Sequence, residues 1–128
     1  MKQATREWVK KAEGDYQAAD ALSRRRKVPF HDQVCFHCQQ SAEKYLKARL
    51  EEAGQRTPKT HDLEGLLDAL LHIEPLWSAL RPALKFLTDY AVDFRYPGNE
   101  ADAQAAKTAR KYANAVRKEA RLALGLKV

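Results

Sequence analysis

Apolar residues recur at three- and four-residue spacing along most of the chain, and no stretch of useful length alternates with period two. The pattern predicts an all-α fold. A first helix spans about 5–26, with Trp8, Ala12, Ala19 and Leu22 on its inner side, Tyr16 beside them and Asp15 sharing that side. A second runs from His31 to Ala53 and stops at Gly54, with an inner stripe of Cys35, Cys38, Ala42, Tyr45, Leu46 and Leu50. Residues 55–60 read as a loop. Thr60 is placed to cap a short third helix that reaches about His72 and turns Leu63, Leu66, Leu67 and Leu70 inward. Glu74 and Pro75 end it. A fourth helix covers about 77–94, with Pro82 bending it or delaying its start. Arg95-Tyr96-Pro97-Gly98 reads as a turn. The last helix covers about 100–124, and Ala106, Ala109, Ala113, Val116 and Ala120 give it a narrow stripe of small residues. Four long helices and one short helix, joined by short connections, imply an antiparallel up-and-down helical bundle. The 128 residues suit a single domain, 1–128.

Composition changes this picture little. Apolar residues make up 45% and charged residues 31%, an ordinary globular balance. No run of about 18 apolar residues is long enough to span a membrane. The first residues, MKQATREW, carry no apolar leader, so the expected location is cytoplasmic. Charge matters more. Lys and Arg number 23 against 17 Asp and Glu, and the net charge of +6 favours anionic partners: a nucleotide, RNA or an acidic protein. The run Arg24 to Lys27 either touches phosphates or forms a solvated helix end, where positive charge complements the dipole. On the last helix, Lys107, Lys111, Asn114, Lys118 and Arg121 form a solvated or anion-facing side.

Few motifs carry chemistry. Glycine-rich phosphate loops and the HExxH pattern are absent. Cys35 and Cys38 have a zinc-like spacing, with His31 and His37 nearby, but within one helix His37 points away from the cysteine stripe. The cysteines therefore read as reduced core residues, and neither a metal nor a cofactor is expected. The second helix also carries a polar stripe: His37, Gln40, Lys44 and Lys47, at spacings of three, four and three, stand on one face. Asp15 is a functional carboxylate or a structural hydrogen-bond partner. Arg26 to His31 and Arg56 to His61 each show an arginine, four residues, then a histidine, although His61-Asp62 equally suits a helix start.

The stretch Cys35-Phe36-His37-Cys38-Gln39-Gln40-Ser41-Ala42-Glu43-Lys44-Tyr45-Leu46-Lys47-Ala48 resembles the second-helix signature of HEPN domains. Thr60-His61-Asp62-Leu63 resembles the signature that follows it, and Arg95-Tyr96-Pro97-Gly98 the turn before the family's final helix. Trp8, Ala12 and Asp15 suit its first helix. The motifs occur in the family's order and cover nearly the whole chain. The resemblance implies a helical bundle that commonly forms homodimers. It further implies a possible minimal nucleotidyltransferase partner in a toxin–antitoxin-like pair, with a nucleotide- or partner-binding role. Other family members are metal-independent endoribonucleases, and those carry an arginine and, four to six residues on, a histidine near the final helix. Arg95 matches that arginine, but positions 96–102 hold no histidine, and the last histidine of the chain is His72. The sequence therefore predicts a non-catalytic binding module, with an RNA-cleaving toxin as the alternative. Its ligand site is expected to be an anion cleft bordered by His37, Gln40, Lys44, Lys47 and Arg95, with Asp15, His61, Asp62 and Tyr96 as secondary candidates. Phe30 and Phe36 are candidates for a dimer surface.

Overall fold

The computed structural model describes residues 1–93 and 96–128, and of Val92 and Asp93 the backbone only. Among these residues the chain forms five α-helices and no strand: α1 (Gln3–Ser23), α2 (His31–Glu52), α3 (Leu63–Leu70), α4 (Arg81–Asp93) and α5 (Ala103–Ala123). A 3₁₀ turn, Pro75–Leu80, leads into α4. The architecture is an all-α bundle of four longer helices and one short one, as the periodicity predicts. No helix is long and apolar enough to cross a membrane among the described residues.

The helix ends depart from the sequence-based boundaries for local reasons. The short helix starts at Leu63 because Asp62 takes the extended conformation of the capping position. Thr60 sits before it, its hydroxyl oxygen accepting from the backbone N–H of Asp62 at 3.1 Å. The fourth helix is delayed, as Pro82 allows: Pro75 opens a 3₁₀ turn through Trp77, and Pro82 then falls in the first turn of α4, where its missing N–H costs nothing. α5 begins at Ala103 because Asp102 caps it, its Oδ1 accepting from the backbone N–H of Ala105 at 2.7 Å. Before that, Gly98 takes φ = +92°, a left-handed conformation that suits glycine in the turn after Pro97.

α2 is the central helix, packed against α1, α5, α4 and α3. It is buried on most sides, so polar residues such as Gln39, Ser41, Glu43 and Lys47 are enclosed along with Tyr45, Leu46 and Leu50. Leu63, Leu66, Leu67 and Leu70 of α3 and Leu84 and Leu87 of α4 complete the apolar core. Each such leucine stabilises the fold by roughly 1.5–3 kcal/mol relative to exposure. All five small residues of the α5 stripe are buried. On α1 the enclosed positions are Thr5, Ala12 and Ala19, whereas Trp8, Tyr16 and Leu22 are half-exposed at its margins.

A polar layer joins α1, α2 and α5. Glu13 accepts from the Arg117 guanidinium at 2.7 and 3.0 Å and from the Tyr45 hydroxyl at 2.5 Å. Arg121 donates to the same hydroxyl at 3.1 Å. Burial alone raises the Glu13 carboxyl, but the donors Arg117, Tyr45 and Gln17 outweigh it and hold the group down at about 2. Burial and the neighbouring Glu13 push the Tyr45 phenol up to about 12, so it remains a donor. Burial likewise raises the Cys35 and Cys38 thiols to about 11 and about 12. They are free cysteines of the core, as their placement in the apolar stripe suggests.

Candidate functional site

Six of the polar side chains singled out from the sequence lie where α1 and the loop before α3 flank α2, arranged in two networks. In the first, Asp15 of α1 reaches two residues of α2 that stand two turns apart. Its Oδ1 lies 2.8 Å from His37 Nδ1, and its Oδ2 accepts from Lys44 Nζ at 2.5 Å. In the second, Glu43 is nearly enclosed at 4% side-chain exposure. Its Oε1 lies 2.8 Å from His61 Nδ1, and its Oε2 accepts from Lys47 Nζ at 3.2 Å. Each network thus holds one carboxylate, one ammonium and one imidazole. Gln40 and Gln39 run beside the second: Gln40 Nε2 donates to Gln39 Oε1 at 2.7 Å, and Gln39 Nε2 donates to Glu43 Oε1 at 3.3 Å and to the His61 carbonyl at 3.4 Å.

The geometry assigns the protons. An ionised carboxylate only accepts, so His37 and His61 each carry a proton on Nδ1, and in the neutral ring the opposite nitrogen, Nε2, holds a lone pair. Neither Nε2 has a protein partner among the described residues. The two rings differ in access. The His61 side chain is 75% exposed, whereas that of His37 is 29% exposed beside the edge of Phe36. A carboxylate behind an imidazole fixes its tautomer and orientation and stabilises the charge it gains on taking a proton. Both pairs have the construction of an acid–base group.

The two lysines of the expected anion cleft each face a carboxylate. Lys44 is largely buried against Asp15. Lys47 is enclosed, its ammonium shared between Glu43 and the face of Trp8, whose ring centre is 5.4 Å away. Each ammonium is thus paired within the fold, Lys44 with Asp15 and Lys47 with Glu43. Asp62 is exposed at the start of α3 and its side chain makes no cap. Tyr96 is 63% exposed in the turn before α5 and hydrogen-bonds to neither network. Arg95 lies outside the described residues.

Glu43 and Gln39 are the members that sequence reasoning missed. The signal was present in the four-residue spacing of Gln39, Glu43 and Lys47. Surface cavities of about 410 and about 310 Å³ lie elsewhere, the larger lined by Ile73, Pro75, Trp77 and Leu122. No cluster of histidine, cysteine and acidic side chains suited to a metal ion occurs among the described residues.

Comparison with known proteins places the chain among helical domains of one kind. A family model described as the HEPN domain matches residues 5–122. The crystal structure of TT1696 from Thermus thermophilus superposes with a TM-score of 0.82 at 22% identity, over 94% of this chain and 98% of that one. At that identity the likeness is one of fold. No curated protein matches the sequence.

Proposed function

The chain belongs to the HEPN family, and from that premise we propose that it acts on RNA as a metal-independent endoribonuclease, with His61 and His37 as its acid–base pair. The observation that carries the reading is the double imidazole–carboxylate construction, which leaves two Nε2 atoms without a protein partner among the described residues. RNA cleavage without a metal needs a base for the 2′-hydroxyl, whose oxygen attacks the adjacent phosphorus, and an acid for the departing 5′-oxygen. One neutral imidazole and one protonated imidazole supply both. His61 is the more accessible of the two, and Arg56, exposed five residues before it, can hold a phosphate oxygen.

The test is incubation of the purified protein with varied RNAs in the presence of chelator, for wild type and for the H61A, H37A and E43Q variants. Cleavage by wild type should fall by roughly 10²–10⁴ on loss of either histidine. It should fall less in E43Q, where the His61 ring remains but loses its charged orienting partner. Wild type that leaves every RNA intact, or an H61A/H37A double variant as active as wild type, refutes the assignment.

A second reading is a non-catalytic module that binds a nucleotide or a nucleotidyltransferase partner, alone or as a homodimer. The observation favouring it is the absence of histidine from positions 96–102 after Arg95. Under that reading RNA stays intact, and nucleotide titration or co-purification with such a partner gives the signal instead.

A further inference from the structure

Nearly all of the chain's positive excess sits on one helix. α5 carries six cationic side chains and a single carboxylate, Glu119, in a protein whose net charge is +6. The six divide by type. The arginines have partners on the neighbouring helices: Arg110 pairs with Asp20 of α1 at 2.8 Å, Arg117 with Glu13 of α1 at 2.7 Å, and Arg121 with the Tyr45 hydroxyl of α2 at 3.1 Å. The lysines, Lys107, Lys111 and Lys118, are exposed, and none has a carboxylate partner among the described residues. Rigid guanidinium forks suit fixed pairs, whereas mobile ammonium groups suit a partner whose contacts shift. Spacings of four and seven residues bring the three lysines onto one stripe, separated by about 6 and about 10 Å along the helix axis.

We infer that this outer stripe of α5 is a docking face for the phosphate backbone of RNA. A protein partner would need aromatic or apolar anchors at the centre of its contact, where lysine is depleted. No aromatic residue lies between Lys107 and Lys118 on this stripe, since Tyr112 turns the other way to meet Phe86. Repeated exposed ammonium groups at helical spacing match a polyanion, and the amide of Asn114 on this side is engaged by the Tyr16 hydroxyl at 3.1 Å, so the lysines meet phosphate and binding is independent of sequence. The inference rests on the RNA reading above for the choice of polyanion, but it concerns a different surface.

The test measures fluorescence anisotropy of a labelled uridine homopolymer with wild type, with K107Q/K111Q/K118Q, and with K11Q/R26Q/K27Q, which removes three exposed charges away from the stripe. Circular dichroism checks that all three are folded. The α5 variant should bind about tenfold more weakly or worse at about 100 mM salt, with the slope of log affinity against log salt reduced by about 2. The control should lose markedly less. Equal losses in the two variants, or no binding by wild type, overturn the inference. So does poly-glutamate competing as well as RNA with the same dependence on the three lysines, which reassigns the face to an acidic protein. Cleavage by wild type with unchanged affinity in the α5 variant defeats the docking face and leaves the histidine assignment standing. Lysine-dependent binding without cleavage has the opposite meaning.

Discussion

Replacing Glu13 with glutamine keeps the shape of the α1–α2–α5 layer and removes its single negative charge. The carboxylate receives both nitrogens of the Arg117 fork and the hydroxyl of Tyr45, a side chain with no exposed surface. Hydrogen bonds to a charged group contribute about 1.5–3 kcal/mol. The Glu13 side chain is 26% exposed, and solvent screening discounts the ionic part. A net loss of about 2 kcal/mol follows for E13Q at pH 7. That corresponds to a fall in Tm of roughly 6–10 °C for a domain of this size.

The pH dependence gives a sharper signature. The folded carboxyl titrates near 2, below the ordinary 4.5. As the pH falls, the unfolded chain takes up this proton first. The stabilisation is therefore complete above about 4.5 and drains away as the pH approaches 2. The shift corresponds to about 3 kcal/mol at most, and to about 1–2 kcal/mol after screening. Urea unfolding of both proteins, followed by far-ultraviolet circular dichroism from pH 7 down to the acid limit of folding, should show the gap between them narrowing across this window. Equal stability at pH 7, or a gap that stays constant down to about pH 2.5, refutes the reasoning.

Three other outcomes test the packing. Cys35 and Cys38, whose thiols are held near 11 and 12 by burial, should resist iodoacetamide at pH 8 in the native protein and label rapidly in urea; fast native labelling by mass spectrometry contradicts their placement. A109L inserts three heavy atoms at a position with no exposed surface and should cost about 1–3 kcal/mol in urea unfolding, whereas an unchanged midpoint means that α5 does not pack closely. D32A removes the carboxylate that accepts from the backbone N–H of Ala101 at 2.6 Å. It should cost about 1–2 kcal/mol and speed amide exchange around 99–102, and unaltered exchange there denies the bond its role.

The helices and the core were legible because they follow from period and volume. The leucines of α3 and the small stripe of α5 are inward in the structure as their spacing predicts. Boundaries were less legible where a turn competes with a helix. α5 starts three positions later than the expected 100 because Asp102 caps it, its side chain reaching the Ala105 N–H. The candidate site was legible only in part. Spacing places His37, Gln40, Lys44 and Lys47 together and Glu43 one turn from Lys47, yet it cannot reveal that Asp15 reaches His37 and Lys44 or that His61 reaches Glu43. Those contacts depend on how α1 and the 55–62 loop lie on α2, a tertiary matter with no local signal. Tyr45 illustrates the same gap: its ring obeys the apolar stripe, while its hydroxyl reaches Glu13, 32 residues away in the chain.

The alanine stripe of α5 has a consequence for how this surface can change. Ala106, Ala109, Ala113 and Ala120 let the helix lie close to its neighbours, so its position is set by the inward side. Lys107, Lys111 and Lys118 are exposed and make no hydrogen bond or ion pair among the described residues. Shape and charge are therefore written on separate letters of the same helix. Mutation can recolour the outside, from basic to neutral to acidic, one residue at a time and at little cost in stability. A lineage carrying this bundle can thereby trade one class of partner for another without ever passing through an unfolded intermediate sequence.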